Sequence, residues 1–456
     1  MLDMGLIRKD PEYVKAQLAK REVEVDFTEL LKWDARRKEV IGENEALKAE
    51  RNRMNKQIPV IKKQGGDLSE LMAKTKEMGE QVKKLDEEQK ALEAQIEEFV
   101  AALPNLPAED VQAGGKENNQ VVSVYGEKPT FPFEPKNHVD LCQDLGLIDY
   151  ERGVKLAGNG YWLYTGVGAQ LEWALLNYFI STHIKDGYTM MLPPHILTYD
   201  CGFTAGQFPK FKDDVYRVST GDDSFHFLLP TAETALINLY RGEILEEKDL
   251  PKRMFAYTPC YRSEAGTYRA SERGMIRGHQ FNKVEMFGYT RPEDSDAMLK
   301  ELIGKACALV EGLGLHYRLS KLAAGDCSAS MATTYDIELW IPSMNEYKEC
   351  SSVSNAHDYQ ARRGNIRFRR ADTKKIEYLH TLNGSGLATS RLIPAIVEQF
   401  QQDDGSVVIP EVLRPWMGGM EVICKKYCLH NQIAQTGVRR DRRAPICAIK
   451  LGVGVE

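Results

Sequence analysis

Cysteine is scarce in this chain: nine in 456 residues, odd in number and widely scattered. That is not a disulfide framework, and the thiols read as reduced residues of a cytosolic protein. Long apolar runs are missing too. No stretch of about 18 apolar residues occurs, so no membrane-spanning helix is expected. The opening MLDMGLIRKDPEY has neither the apolar centre of a secretory signal nor the acid-free basic character of a transit peptide. Positive charge is not in excess, since 60 Lys+Arg stand against 66 Asp+Glu for a net charge of −6. A globally basic nucleic-acid binder is therefore excluded, while a local basic patch is not. No G-x-G-x-x-G follows a strand pattern and no G-x-x-x-x-G-K-[ST] occurs, so neither a Rossmann domain nor a P-loop is supported.

What is present suffices for a folded chain: 43% of residues are hydrophobic and 28% charged. The length accommodates two or three domains of roughly 100–200 residues each. Residues 1–110 read as helical and charged. Trp33, Arg37, Val40, Asn44, Leu47, Arg51, Met54, Ile58 and Ile61 follow in alternating steps of four and three, as do Met78, Val82, Leu85, Gln89, Leu92, Ile96, Phe99 and Leu103. Such spacing is a coiled-coil seam. Gln64-Gly65-Gly66-Asp67 can turn the chain between the runs, which predicts an antiparallel helical hairpin over about residues 27–103. Pro59 near the tip predicts a kink. A hairpin this long must project into solvent. It is a spacer or oligomerisation arm, or a contact surface for a phosphate backbone. Lys48, Arg51, Arg53, Lys56, Lys62 and Lys63 face a single acid, Glu50, in the outer stretch, which suits the second use.

Residues 111–137 are polar and carry proline and glycine, and read as a linker. From residue 138 to 424 the pattern becomes mixed. Leu171–Thr182 reads as an amphipathic helix. Tyr188–Leu192, Phe255–Tyr257, Asn282–Tyr289, Ile337–Ile341 and Tyr347–Val353 read as strands. Strands in series with few helices between them predict an antiparallel sheet in an α+β domain.

Four clusters carry chemistry-bearing residues. They are Leu229-Pro-Thr231-Ala232-Glu233-Thr234, then Tyr261-Arg262-Ser263-Glu264-Ala-Gly266 with His279-Gln-Phe281-Asn-Lys-Val-Glu285, then Tyr347-Lys-Glu349-Cys350-Ser351-Ser352, and finally Leu382-Asn-Gly-Ser385-Gly-Leu-Ala-Thr-Ser-Arg391. Arg262 and Arg391 can grip phosphates as bidentate forks. Glu349 and Ser352 offer the oxygen ligands that a phosphate-bound Mg²⁺ prefers. Phe281, at the start of a strand, can stack on a purine or pack in the core. Glu233 and Glu285 suit an ammonium ligand, or pair with nearby arginines. Thr231 and Ser385 supply hydroxyls, or serve as turn and cap residues.

At these residues the chain resembles a bacterial-type seryl-tRNA synthetase, a class II aminoacyl-tRNA synthetase, from residue 1 to about Ile423. Gly187-Tyr188 with Pro193-Pro194 resembles motif 1, the dimer-interface element of that class. Arg262-Ser-Glu-Ala-Gly through Glu285 resembles motif 2, and Gly384-Ser-Gly-Leu-Ala-Thr-Ser-Arg391 resembles motif 3. The resemblance implies a homodimer and an N-terminal tRNA-binding arm. It implies ATP and Mg²⁺ as cofactors, with L-serine and tRNA(Ser) as partners and tRNA(Sec) as an alternative acceptor. It further implies that Arg262, Ser263, Glu264, Phe281, Glu349, Cys350, Ser351, Ser352 and Arg391 form the ATP site, with Glu349 and Ser352 on the metal. Thr231, Ala232, Glu233, Arg262, Glu285 and Ser385 would surround the amino acid, Glu285 receiving its hydroxyl. Lys48, Arg51, Arg53 and Lys56 would meet tRNA.

The chain departs from the family's pattern at Thr333, where lysine is common, at Gly160, where arginine is frequent, and at Cys350, where an aliphatic residue is usual. The 425–456 tail has no clear period and a basic patch, Arg439-Arg440-Asp441-Arg442-Arg443. It reads as an extension or as read-through sequence. Cys424, Cys428 and His430 lack the second ligand pair of a structural zinc site. Two rivals to a serine–tRNA ligase are a paralogue that delivers activated serine to another acceptor and a non-catalytic RNA-binding relative. The first should have a shortened arm and the second should have lost Arg262, Glu264 or Arg391; the arm and all three residues are here.

Overall fold

The computed structural model describes residues 1–264 and 274–425. The chain opens with two short helices, α1 (Met4–Lys9) and α2 (Pro11–Ala19). Two long helices follow, α3 (Thr28–Lys63) and α4 (Ser69–Ala102), packed along each other as the expected hairpin. The seam is buried at Val40 and Asn44 on α3 and at Val82, Leu92 and Ile96 on α4. Asn44 donates to Asp86 Oδ1 across it at 2.6 Å, a polar contact that favours one register. The turn is built from local hydrogen bonds. Gly65, at φ 71°, ends α3, its N–H reaching the Lys62 carbonyl and that of Gly66 the Ile61 carbonyl. This pair of bonds satisfies the last carbonyls and needs a left-handed residue where glycine stands. Asp67 Oδ1 then accepts from the Ser69 N–H at 2.8 Å to start α4. Helix α3 runs on through Pro59.

The root of the arm has its own apolar core. Ile7, Val14 and Leu18 of the short helices meet Phe27, Leu30, Ile96 and Val100. Asp34, buried there, binds Arg8, Arg37 and Lys38. That core also includes Tyr359 of the globular body, whose hydroxyl donates to the Leu103 carbonyl at 2.7 Å.

The body is an eight-stranded sheet. Its strands are β1 (Gln120–Tyr125), β2 (Thr189–Met191), β3 (Lys252–Tyr261), β4 (Gln280–Thr290), β5 (Tyr317–Lys321), β6 (Thr333–Ile341), β7 (Glu346–Asn355) and β8 (His380–Ala388). They lie in the order β1-β5-β6-β7-β8-β4-β3-β2, antiparallel throughout except for the β2–β3 pair. The α+β expectation holds; four of the five expected strands are longer than the apolar runs alone indicated, and the fifth, Tyr188–Leu192, is shorter at Thr189–Met191. The 111–137 segment, expected as a linker, supplies the edge strand β1 with its Gln-Val-Val-Ser-Val-Tyr run. All six of its residues are exposed, so the hydrophobic contrast that marks a half-buried strand is weak there.

Three helices, α5 (Gly166–Lys185), α6 (Ser295–Gly312) and α7 (Thr389–Gln399), cover one face of the sheet. Leu175 and Phe179 of α5, Leu302 and Val310 of α6 and Ile396 of α7 meet Phe255, Val284, Met286, Ile337 and Val353 there. Successive strand residues point to opposite faces, so the residues between these project the other way. That other face is polar in the middle of the sheet, and the site lies on it.

Stability should therefore reside in the sheet and its helices. Phe255→Ala, at a fully buried position, should cost about 3–5 kcal/mol. Val60→Ala, half exposed near the arm tip, should stay within about 0.5 kcal/mol. Urea unfolding midpoints of the two variants measure the contrast.

Candidate functional site

Adjacent strands set the site. Glu285 of β4 stands opposite Ser385 of β8. Lys283 and Glu285 share a face of β4, two residues apart, as do Asn383 and Ser385 on β8. Glu285 is fully buried and forms an ion pair with Lys283. It also accepts from Asn383 Nδ2 at 3.1 Å and from Ser385 Oγ at 3.3 Å. Lys283 Nζ in turn donates to Thr231 Oγ1 at 2.8 Å.

Thr231 and Glu233 come from the turn into the short helix Glu233–Leu236. Glu233 accepts from Gln360 Nε2 at 2.7 Å and from Asn383 Nδ2 at 3.3 Å. Burial and then the Glu285 carboxylate push the Glu233 carboxyl up to about 7, against the pull of Gln360, Lys283 and Arg262. Lys283 is the ion-pair partner of Glu285, and Glu233 is left with neutral amide donors.

Arg262 follows β3. Its N–H donates to the His279 carbonyl at 2.9 Å, and its own carbonyl meets His279 Nδ1 at 3.0 Å. The His279 N–H reaches the Gly160 carbonyl. This explains the departure at Gly160. Its φ is 80°, and a Cβ would lie 2.5 Å from the His279 ring, so a side chain there would displace the residue that braces Arg262. The Arg262 guanidinium lies 5.2 Å from the Phe281 ring centroid. Glu264 pairs with Arg277.

Three connected hollows share these walls. The largest, about 840 Å³, is lined by Thr231, Glu233, Arg262, Lys283, Glu349, Ser352, Asn383, Ser385 and Arg391. A second, of about 430 Å³, joins Thr231, Glu233 and Arg262 to the segments at Gly206 and Ser328. A small one of about 80 Å³ runs between Arg262, Glu264, Phe281, Cys350 and Arg391. The four clusters of the sequence therefore converge on one concavity lined by both carboxylates and arginines.

Four expected residues sit differently. Ala232 is fully buried in the core with Leu236 and Phe287. Glu285 is fully buried and bonds Lys283, Asn383 and Ser385, all three of which line the largest hollow. The Ser351 hydroxyl is buried and donates to the Ser385 carbonyl at 2.6 Å, tying β7 to β8. The Ser263 hydroxyl donates to the Asp214 carbonyl at 2.7 Å, holding the loop beside the site. On the arm, Lys48 pairs with Asp86 and Arg53 with Glu50, whereas Lys56 is exposed. Residues 265–273, with Arg269, Glu272 and Arg273, lie outside the described residues, as do Cys428, His430 and Arg439-Arg440-Asp441-Arg442-Arg443. Thr333 is buried at the start of β6 and pairs with Asn355; nothing in the structure explains its replacing lysine.

The sequence reading missed Lys283, Asn383, Gln360, Asp336 and Glu338. Lys283 and Asn383 were visible in principle, each two residues from a chosen site residue on the same strand. So were Asp336 and Glu338, the polar partners in the alternating run Thr334-Tyr-Asp336-Ile-Glu338-Leu. Asp336 pairs in register with Ser352, and Glu338 with Glu349. Burial and the neighbouring Glu349 push the Asp336 carboxyl well above its usual range. This excess of negative charge fits a divalent cation. Among the described residues no three carboxylate, histidine or cysteine groups converge on one point. A cation there must draw its remaining ligands from a substrate and water, the habit of Mg²⁺.

Comparison with known proteins agrees with this geometry. Residues 1–107 match the family model "Seryl-tRNA synthetase N-terminal domain" and residues 216–400 match "tRNA synthetase class II core domain (G, H, P, S and T)". The chain is 66% identical to serine–tRNA ligase 2 of Clostridium acetobutylicum, over 92% of this chain and 99% of that one. It is 45% identical to the serine–tRNA ligase of Nitratidesulfovibrio vulgaris, over 93% and 100%. Its fold matches the seryl-tRNA synthetase of Pyrococcus horikoshii complexed with ATP, with a TM-score of 0.85 and 34% identity over 93% of this chain and 99% of that one.

The Glu233 carboxyl makes a pH prediction. Held up to about 7 by burial, it is charged above that pH and neutral below. Binding of an amino acid's ammonium should weaken as pH falls through about 7. The folded protein also holds this proton more tightly than the unfolded chain, so Glu233 costs stability as pH rises from about 5 to 8. Glu233→Gln should remove both dependences, flattening the melting temperature across this pH range while binding the amino acid more weakly. Isothermal titration and thermal melts across pH 5.5–8.5 check the two together.

Proposed function

The chain belongs to the seryl-tRNA synthetase family of class II synthetases, and from that premise we propose that it joins L-serine to tRNA(Ser) in two steps at the cavity on the sheet. The observation that carries this reading is the division of charge. Glu233, with Glu285 already balanced by Lys283, leaves a negative end for an ammonium. Arg262, beside it in the same cavity, supplies the positive end for a carboxylate. That is the complement of a small zwitterion.

In the first step the serine carboxylate, already ionised near pH 7, attacks the α-phosphorus of ATP. A carboxylate–phosphate bond forms, the bond to the β-phosphate oxygen breaks, and pyrophosphate leaves. Arg262 holds the carboxylate and the α-phosphate together and meets the charge that develops between them. Phe281 and Glu264 receive the adenine, and Arg391 takes the γ-phosphate. Glu349 and Ser352 would hold Mg²⁺ carried by the phosphates, which supplies neutralisation of the leaving pyrophosphate. In the second step a hydroxyl of the terminal ribose of tRNA attacks the seryl carbonyl and AMP leaves. The Ser385 hydroxyl, bonded to Glu285, meets the serine side chain. tRNA(Sec) is a second acceptor in this reading.

The arm contacts tRNA through its outer cations, Lys56 and Arg51, with Lys48 and Arg53 released from Asp86 and Glu50 as phosphates arrive. The homodimer of the class is supported by α5 and its continuation, where Trp173, Ile184 and Leu192 are large apolar residues left exposed. No helix among the described residues is long and apolar enough to cross a membrane, and we assign the protein to the cytoplasm.

Pyrophosphate exchange with each of the twenty amino acids tests the assignment. Serine should be activated fastest. Alanine fits but offers no hydroxyl to the buried polar wall of Thr231, Asn383 and Ser385, and sites built to bond a hydroxyl reject the analogue lacking it by up to ~10⁴-fold. Threonine keeps the hydroxyl and adds a methyl, which shape rejects by only ~10–200-fold. Threonine should therefore compete better than alanine; the reverse order would remove the Glu285–Ser385 pair from hydroxyl recognition. Deleting residues 32–98 should spare serine-dependent exchange and abolish efficient tRNA charging. A deletion protein that charges tRNA like the parent would make the arm a spacer.

A further inference from the structure

The wall of the second hollow opposite Glu233 is the segment Ser328–Met331, between β5 and β6. It belongs to neither strand, and its four consecutive carbonyls are all taken by residues from the root of the arm. Arg21 Nη1 donates to the Ser328 carbonyl at 3.4 Å, and Nη2 donates to that of Met331. The Asn105 N–H donates to the Ala329 carbonyl at 2.7 Å, and its side-chain amide to that of Ser330 at 3.0 Å. Arg21 also reaches the carbonyls of Ala324 at 2.9 Å and Cys327 at 3.2 Å.

Arg21 is buried, 8% exposed, and makes no ion pair with a carboxylate among the described residues. Burying a guanidinium without an acid is costly unless its donors are satisfied. Here backbone carbonyls take both terminal nitrogens, Nε alone having no partner, and the planar fork reaches several carbonyls at once, which a lysine cannot. On the adjoining wall, which packs against Ser330, Arg363 of the body donates to the Ala101 carbonyl at the end of α4 at 3.2 Å and to the Phe203 and Phe208 carbonyls. Those two flank Gly206, which lines the same hollow. Both walls are thus bonded to the arm's root.

We propose that Arg21 and Asn105 are positioning residues for the serine half of the site. They hold the Ser328–Met331 wall at its distance from Thr231 and Glu233. The proposal rests on the seryl reading above. Its reach is asymmetric: Ser328 and Met331 also line the large cavity that holds Glu349, Ser352 and Arg391, but the small hollow at Phe281, Cys350 and Arg391 includes no residue of this wall. Displacing the wall acts first on the amino acid at Thr231 and Glu233 and leaves the adenine end at Phe281.

The test is pyrophosphate exchange by the full-length protein, with serine and ATP varied separately, well below the melting temperature. The variants are Arg21→Lys, which keeps the charge and loses the fork, and Asn105→Ala, which keeps the backbone bond and reads the same wall if Arg21→Lys fails to fold. Val14→Ala, in the root's apolar core and away from the wall, controls for lost stability. A shift of the wall by about 1 Å should raise the serine KM about tenfold or more, with the ATP KM within about twofold of the parent. The proposal is overturned if both variants keep the parental serine KM, or if Val14→Ala, matched in melting temperature, raises it equally. Failure of the parent itself to exchange with serine would instead sink the seryl reading.

Discussion

The buried pair of Lys283 and Glu285 is the interaction on which the site depends. Two carboxylates, Glu233 and Glu285, lie within reach of one lysine in a place with little water. Removing one partner of a buried ion pair typically costs ~3–5 kcal/mol, because the other is left uncompensated. The cluster is tolerable because each oxygen also finds a neutral donor in Gln360, Asn383 or Ser385. What remains is one carboxylate without a full counter-charge. That imbalance is the feature on which the proposed binding of an amino acid's ammonium rests.

The sheet makes this arrangement possible. In an antiparallel ladder, residues two apart on one strand and their cross-strand partners form a patch a few ångströms wide. Strands β4 and β8 place Lys283, Glu285, Asn383 and Ser385 in such a patch, while Val284, Met286 and Leu382 go to the helix-covered core. Strands β6 and β7 repeat the device with Asp336, Glu338, Glu349 and Ser352. The same alternation that builds the core on one side builds a ligand surface on the other. The irregular segments after β3 and β5 then bring in Arg262 and the Ser328–Met331 wall, and the first turn of α7, directly after β8, brings in Arg391.

The arm and the body are less separable than a projecting hairpin suggests. The tip is distant from the chemistry, but the root shares an apolar core with Tyr359 and hydrogen bonds with both sides of the cavity. A mutation near residue 20 or 105 is in this sense a mutation at the site.

Much of this was written locally in the chain. The hairpin was legible because a 3.5-residue repeat and a glycine turn are local signals, and the sheet class because apolar runs of strand length recur with turns between them. Arg262, Glu264, Phe281, Glu349, Ser352 and Arg391 were legible as motif residues. The edge strand β1 was not, since its side chains are exposed on both faces and its burial carries no period. Lys283 and Asn383 gain meaning only from the partner across the ladder. Ala232, Ser351 and Ser263 kept their places in the motifs, but tertiary packing turned them into core and tethers. Arg21 shows the limit most clearly: nothing near it in sequence marks it, because its partners are carbonyls some 300 residues away. Side-chain periodicity and turn chemistry act between neighbours and can be read from the chain. Which groups share a buried charge, and which loop closes over them, is decided by contacts between distant segments and exists only once the chain has folded.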